Sequence, residues 1–126
     1  MRSWLVLTLV TLVGGVPLSG HHSFAAKYFE ERTVSLEGQL TRFEFRNPHA
    51  MVYVMAPDEQ GQLHEYGGEW SNVKRLSQGG VTKNTLLPGD RLIVTGSPAR
   101  SSSDYSIHVK RLERPADGWK WGGAGR

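Results

Sequence analysis

The chain contains no cysteine. Disulfides, thiolate nucleophiles, cysteine-type zinc sites and iron–sulfur ligation are thereby excluded, and any metal must be held by histidine, methionine, carboxylates or main-chain groups. An excess of one charge is also lacking. The 15 Lys and Arg face 12 Asp and Glu for a formal +3, with no dense basic block of the kind that tracks a nucleic-acid backbone. No apolar run approaches the roughly 20 residues needed to span a bilayer. The signatures of phosphate loops, dinucleotide-binding turns, serine hydrolases and zinc proteases are missing as well. What remains is 126 residues, 38% of them hydrophobic, enough for one small core that is marginal without disulfides.

Met1-Arg2, the apolar stretch from Trp4 to Val13 and the small, turn-rich stretch from Gly14 to Gly20 together have the layout of a secretory signal peptide. Residues 1–20 are therefore expected to be a leader, and residues 21–126 a single exported domain, periplasmic or secreted, with no membrane span after processing. Cleavage after Gly20 exposes His21-His22-Ser23 as the new N-terminus; cleavage after Ser19 leaves His21 second, and cleavage after Gly15 buries both His in a longer tail. Loss of residues 1–20 removes Arg2 and no acid, so the formal charge falls from +3 to +2.

Within the domain, alternating and β-branched stretches predict five strands at residues 33–45, 49–56, 63–70, 91–96 and 105–112. In the first, Val34, Leu36 and Leu40 share one parity and Phe43 and Phe45 the other, which requires a bulge or bend near Thr41-Arg42. Ser71-Asn72 offers a suitable cap for a one- to two-turn helix carrying Val73 and Leu76 and ended by Gly79-Gly80. Leu87-Pro88-Gly89-Asp90 turns the chain into the fourth strand. Three strands, a helix and two strands form the layout of an all-β, five-stranded OB-type barrel, with an open β-sandwich as the competitor. The segment after Pro115 reads as a short tail anchored by Trp119 and Trp121.

On the second strand Ala50, Val52, Val54 and Ala56 form one face, and His49, Met51, Tyr53 and Met55 the other. Both faces are apolar enough to require cover, from the N-terminal segment, the helix or a ligand. Met and Tyr pack readily under a neighbouring segment, but a soft His/Met surface also suits copper. His64 and His108 fall on strand positions that read as solvent-facing. Glu69, at the end of the third strand, can favour a helix N-terminus or act as a ligand.

The pair His21-His22 carries the most chemistry. A free N-terminal His chelates through its α-amine and ring nitrogen, and a further imidazole completes the nitrogen-rich set that Cu(II) prefers. A His pair at a chain end is equally compatible with a flexible terminus that binds nothing. His49, after Asn47-Pro48, is the best additional ligand, with Glu69 and Met51 as weaker ones. The aromatic residues Tyr53, Tyr66 and Trp70 form the alternative: a surface for a small molecule or a protein partner, without metal. Export and the near-neutral charge of the mature domain argue against nucleic acid.

His21-His22-Ser23-Phe24, Gly38, Asn47-Pro48-His49-Ala50, Glu69 ahead of the short helix, and Leu87-Pro88-Gly89-Asp90 occur in an order and spacing that resembles an uncharacterised family of small secreted bacterial proteins. The resemblance covers nearly all of the mature chain and implies an extracytoplasmic protein of unassigned biochemistry. The leader exit Leu18-Ser19-Gly20 departs from the usual alanine-type site. With no open metal position or substrate cleft readable, the expectation is a non-enzymatic extracytoplasmic binding module that loads copper through His21, His22 and His49.

Overall fold

The structure, a computed structural model, describes residues 21–123, with side chains from Phe24 onward. The expected leader and the side chains of His21 and His22 lie outside the described residues. The elements are α1 (His21–Lys27), β1 (Val34–Glu44), β2 (Met51–Pro57), β3 (Leu63–Glu69), α2 (Val73–Gln78), β4 (Arg91–Pro98), β5 (Ser106–Arg114) and β6 (Trp119–Gly122).

β1 is the seam of the molecule. Its first half, Val34 to Gln39, pairs antiparallel with β4, and its second half, Gln39 to Glu44, pairs antiparallel with β2. The strand coils where it changes partner, and the register slips between Leu40 and Arg42, at the bulge that the switch in apolar parity requires. Gly38 sits at this corner because a Cβ there would collide with the backbone carbonyl of Met55. β2 pairs with β3 and β4 with β5, all antiparallel. A short parallel pairing of β3 with β5, from Gly67↔Ser106 to Glu69↔His108, closes the ring. The result is the expected closed, five-stranded barrel of OB type, with one short helix between β3 and β4.

Val52, Val54, Leu92, Val94, Ile107, Val109 and Leu112 fill the interior, joined at one end by Leu76 of α2 and by Val81 and Leu86. Burying one such leucine contributes about 2 kcal/mol. The Asn72 side chain accepts the Arg75 backbone N–H at 2.8 Å, and Gly79 follows the last helical residue, so both ends of α2 are set by the residues whose chemistry predicts them. α2 covers the barrel end where β3 leaves and β4 enters. The opposite end is formed by the start of β1, the β2–β3 turn and the β4–β5 loop.

The C-terminal tail contributes a strand. β6 pairs with the second half of β5, Arg114↔Trp119 to Arg111↔Gly122, after a turn in which Gly118 takes φ 73°. Four residues containing a single Trp-Lys-Trp alternation are too few for a periodicity to declare itself. Trp119 and Trp121 are anchors as expected, meeting Trp70 edge-on at 6.5 and 5.1 Å. No helix among the described residues is long and apolar enough to cross a membrane.

Candidate functional site

α1 lies against the outer wall of the barrel, and two aromatic side chains hold it there. The Phe24 ring stacks on His108 (4.0 Å between centroids, 7° between planes) and stands 5.1 Å from the ring of His49. One turn later, the Tyr28 hydroxyl donates to Glu69 Oε2 at 2.8 Å. The end of α1 is tied to the β4–β5 loop: Phe29 N–H donates to the Pro98 carbonyl, Arg100 N–H to the Lys27 carbonyl, and the Arg100 guanidinium to the Ala25 carbonyl at 2.7 Å.

Beneath this helix the strand registers bring chemistry together. Met51 is opposite Glu69, Glu69 is opposite His108, and His108 is opposite Ser97, so four strands present one row of side chains across the outer wall. His49, just before β2, places its Nδ1 3.7 Å from Glu69 Oε1. His108 Nδ1 donates to Glu30 Oε1 at 2.8 Å, and Lys110 Nζ steadies Glu30 by donating to its backbone carbonyl at 3.0 Å. Ser97 is fully buried, and its hydroxyl has no hydrogen-bond partner among the described residues. Burial, reinforced by the hydrogen bond to Glu69 and that carboxylate's charge, pushes the Tyr28 phenol far above its usual range, so it remains a proton donor.

Of the proposed metal ligands, His49 and Glu69 are brought together, and Met51 lies opposite Glu69 in register with its methyl end over Gly67. The backbone of His21 and His22 forms the first turn of α1, immediately ahead of Phe24. Among the described residues no group of three or more His, Asp or Glu is arranged to hold a metal ion.

The aromatic trio is not brought to one surface. Tyr66 faces Val54 and belongs to the inner side, whereas Tyr53 lies opposite Gly67 on the outer side with the Arg42 guanidinium 4.0 Å over its ring. Trp70 is in the core at 1% exposure: it continues the inward parity of Tyr66 and Gly68, and its N–H donates to the Ala50 carbonyl. It does not line a ligand surface.

Two histidines also differ from expectation. His108 does point outward, but the outward face is covered by α1 and is no solvent face. His64 donates from Nε2 to Asp58 at 2.8 Å and stacks on Tyr105 at 4.0 Å, so it too is largely enclosed. Phe24, Tyr28, Glu30 and His108 are therefore site residues that strand parity alone does not reveal. The one available signal is the doubly apolar β2, which calls for cover. The N-terminal segment supplies that cover at His49, whereas Met55, farther along β2, stays exposed.

None of the curated proteins matches this chain. A family model does match it, over residues 9–108, which include α1, the His49 and Glu69 segments and the start of β5 through His108. The chain belongs to that family, described as a family of unknown function (DUF6152).

Proposed function

We propose that this protein is an exported, non-enzymatic binding module that takes up Cu(II) at the α1 wall, through the terminal amine and imidazoles of His21 and His22 together with His49. Glu69, 3.7 Å from His49, and Met51, its register partner on β2, are the accessory donors in this reading. The observation that carries this is the contact of Phe24 with both His49 and His108. The backbone of His21 and His22 forms the same helix three and two residues before Phe24, an axial distance of only about 3–5 Å, and this nearness of the chain to the barrel wall supports the reading. Nitrogen donors with an adjacent carboxylate and thioether match the preferences of copper, and the absence of cysteine leaves imidazole as the principal ligand type.

The test compares the protein beginning at His21, the same protein acetylated at its terminal amine, and His49→Ala. The free-amine form is expected to bind one Cu(II), with nitrogen hyperfine structure in its electron paramagnetic resonance spectrum. Acetylation is expected to weaken binding about 100-fold, and His49→Ala about 10-fold. Equal affinity of the free and acetylated forms would show that the terminal amine is not a ligand and would overturn the proposal.

A further inference from the structure

The barrel end away from α2 is open and holds a groove of about 420 Å³. Its floor is apolar, from Val34, Leu36 and Ile107, and its sides carry Tyr66 and Tyr105 together with Asp58, Glu59 and Asp104. The two tyrosines meet edge to face at 5.5 Å; His64 stacks on one face of Tyr105, which leaves Tyr66 and the other side of Tyr105 toward the groove. No Lys, Arg or His is among the lining residues, although the chain as a whole is basic. The carboxylates are unequally engaged. Asp58 receives the His64 ring and the Gln60 and Gln62 backbone N–H groups, and Asp104 receives the Ser106 hydroxyl. Burial pushes the Tyr66 phenol up, and the charge of Asp58 adds to it, in keeping with a negative potential inside the groove.

We infer that this barrel mouth is a second binding site, independent of the α1 wall, for a small organic cation: an ammonium or guanidinium group carried on an apolar or aromatic stem. Charge complementarity and shape both favour that occupant. The stem fills the Val34–Leu36–Ile107 floor, while the cationic head sits between tyrosine faces and carboxylates, where cation–π attraction and Coulomb attraction act together. An anion meets three carboxylates, with the His64 ring behind Asp58 and no base in the lining itself. A neutral ligand keeps the apolar contacts and gains nothing from the walls. Tyr66, expected on an aromatic ligand surface, thus takes part without Tyr53 or Trp70.

The experiment is a two-dimensional amide NMR titration of copper-free protein in the presence of a chelator, which isolates the groove from any metal chemistry. The probes are benzyltrimethylammonium, benzyl alcohol and phenylacetate, which share a benzyl stem and differ in charge. Saturable shifts are expected for benzyltrimethylammonium at residues 58–60, 66 and 101–107, with at least about tenfold weaker binding of the other two. Glu59→Gln, at an exposed side chain with no hydrogen bond or ion pair among the described residues, is expected to weaken the cation about threefold and leave the benzyl alcohol response unchanged. Tyr105→Phe keeps the ring and should retain binding. Equal response to the neutral and cationic probes, shifts confined to other regions, or no saturable shift would each overturn the inference. So would a basic peptide that binds where the small cation does not.

Discussion

Two histidines in this molecule are held in nearly the same way. His64 and His108 each place one ring nitrogen 2.8 Å from a carboxylate, and each lies flat against an aromatic ring with centroids 4.0 Å apart. The difference lies in what is connected. Asp58 is six residues before His64, across the β2–β3 turn, and the turn's own backbone donors hold it as well. Glu30 is 78 residues before His108, and among the described residues its carboxylate is held by this contact and by Lys110. The first arrangement finishes a hairpin that is already formed; the second latches the N-terminal segment to the barrel. Identical local chemistry therefore serves local order in one place and tertiary order in the other.

The largest effect is expected from Gly96→Ala. The added Cβ would run into the backbone carbonyl of His108, which cannot yield as a side chain can, and should cost about 3 kcal/mol while shifting β5 beneath α1. Gly61→Ala, in the hairpin loop, meets open space and bears only the strain of φ 81°, about 1 kcal/mol. Urea denaturation of the two variants checks the ratio; similar losses would mean that the β4–β5 approach is more compliant than its geometry implies.

Next in size is the pair His108→Ala and His64→Ala. Removing His108 takes away the Phe24 stack and the Glu30 bond, about 2 kcal/mol in sum, and should open residues 21–32 to limited proteolysis. Removing His64 is expected to cost about 1 kcal/mol and to leave α1 protected. Protection of α1 in both variants would show that the helix is retained by Tyr28 and the β4–β5 loop alone.

The smallest effect concerns acid. Hydrogen bonds from the Gln62 backbone, followed by the His64 ring and the Gln60 backbone, hold the Asp58 carboxyl below its ordinary value of 3.8. A depressed carboxylate stabilises the fold fully above its ordinary value and loses that contribution as pH falls through the folded value. Asp58→Asn should accordingly flatten the stability profile below about pH 4, measured by thermal melts between pH 2.5 and 5. An unchanged slope would locate the acid sensitivity elsewhere, with Asp117, held down by Arg114, as the next place to look.

The same contrast explains what the residues reveal by themselves. The bulge near Thr41, the Asn72 cap, the glycine stop after α2 and the five-strand order are all encoded within a few neighbouring positions, and they appear where the local pattern puts them. The Glu30–His108 and Tyr28–Glu69 contacts join positions 78 and 41 apart, and no periodicity in either segment points to the other. His108 was legible as outward-facing but not as covered, because cover depends on a helix outside the strand pattern. β6 falls below the length at which alternation carries a signal, and Trp70 shares the parity of Tyr66, which is that of the barrel interior and not of a ligand surface. His49, Glu69 and Met51 could be grouped in advance because they occupy consecutive or paired strand ends.

The parallel pairing of β3 with β5 also orders events in time. The β2–β3 and β4–β5 hairpins close short loops, whereas Glu69 and His108 become neighbours only when strands from the two halves of the chain meet and the ring shuts. Phe24 and Tyr28 have their landing surface only after that step. The α1 segment thus precedes every strand of the barrel in the chain, yet the surface on which it rests is complete only in the closed ring.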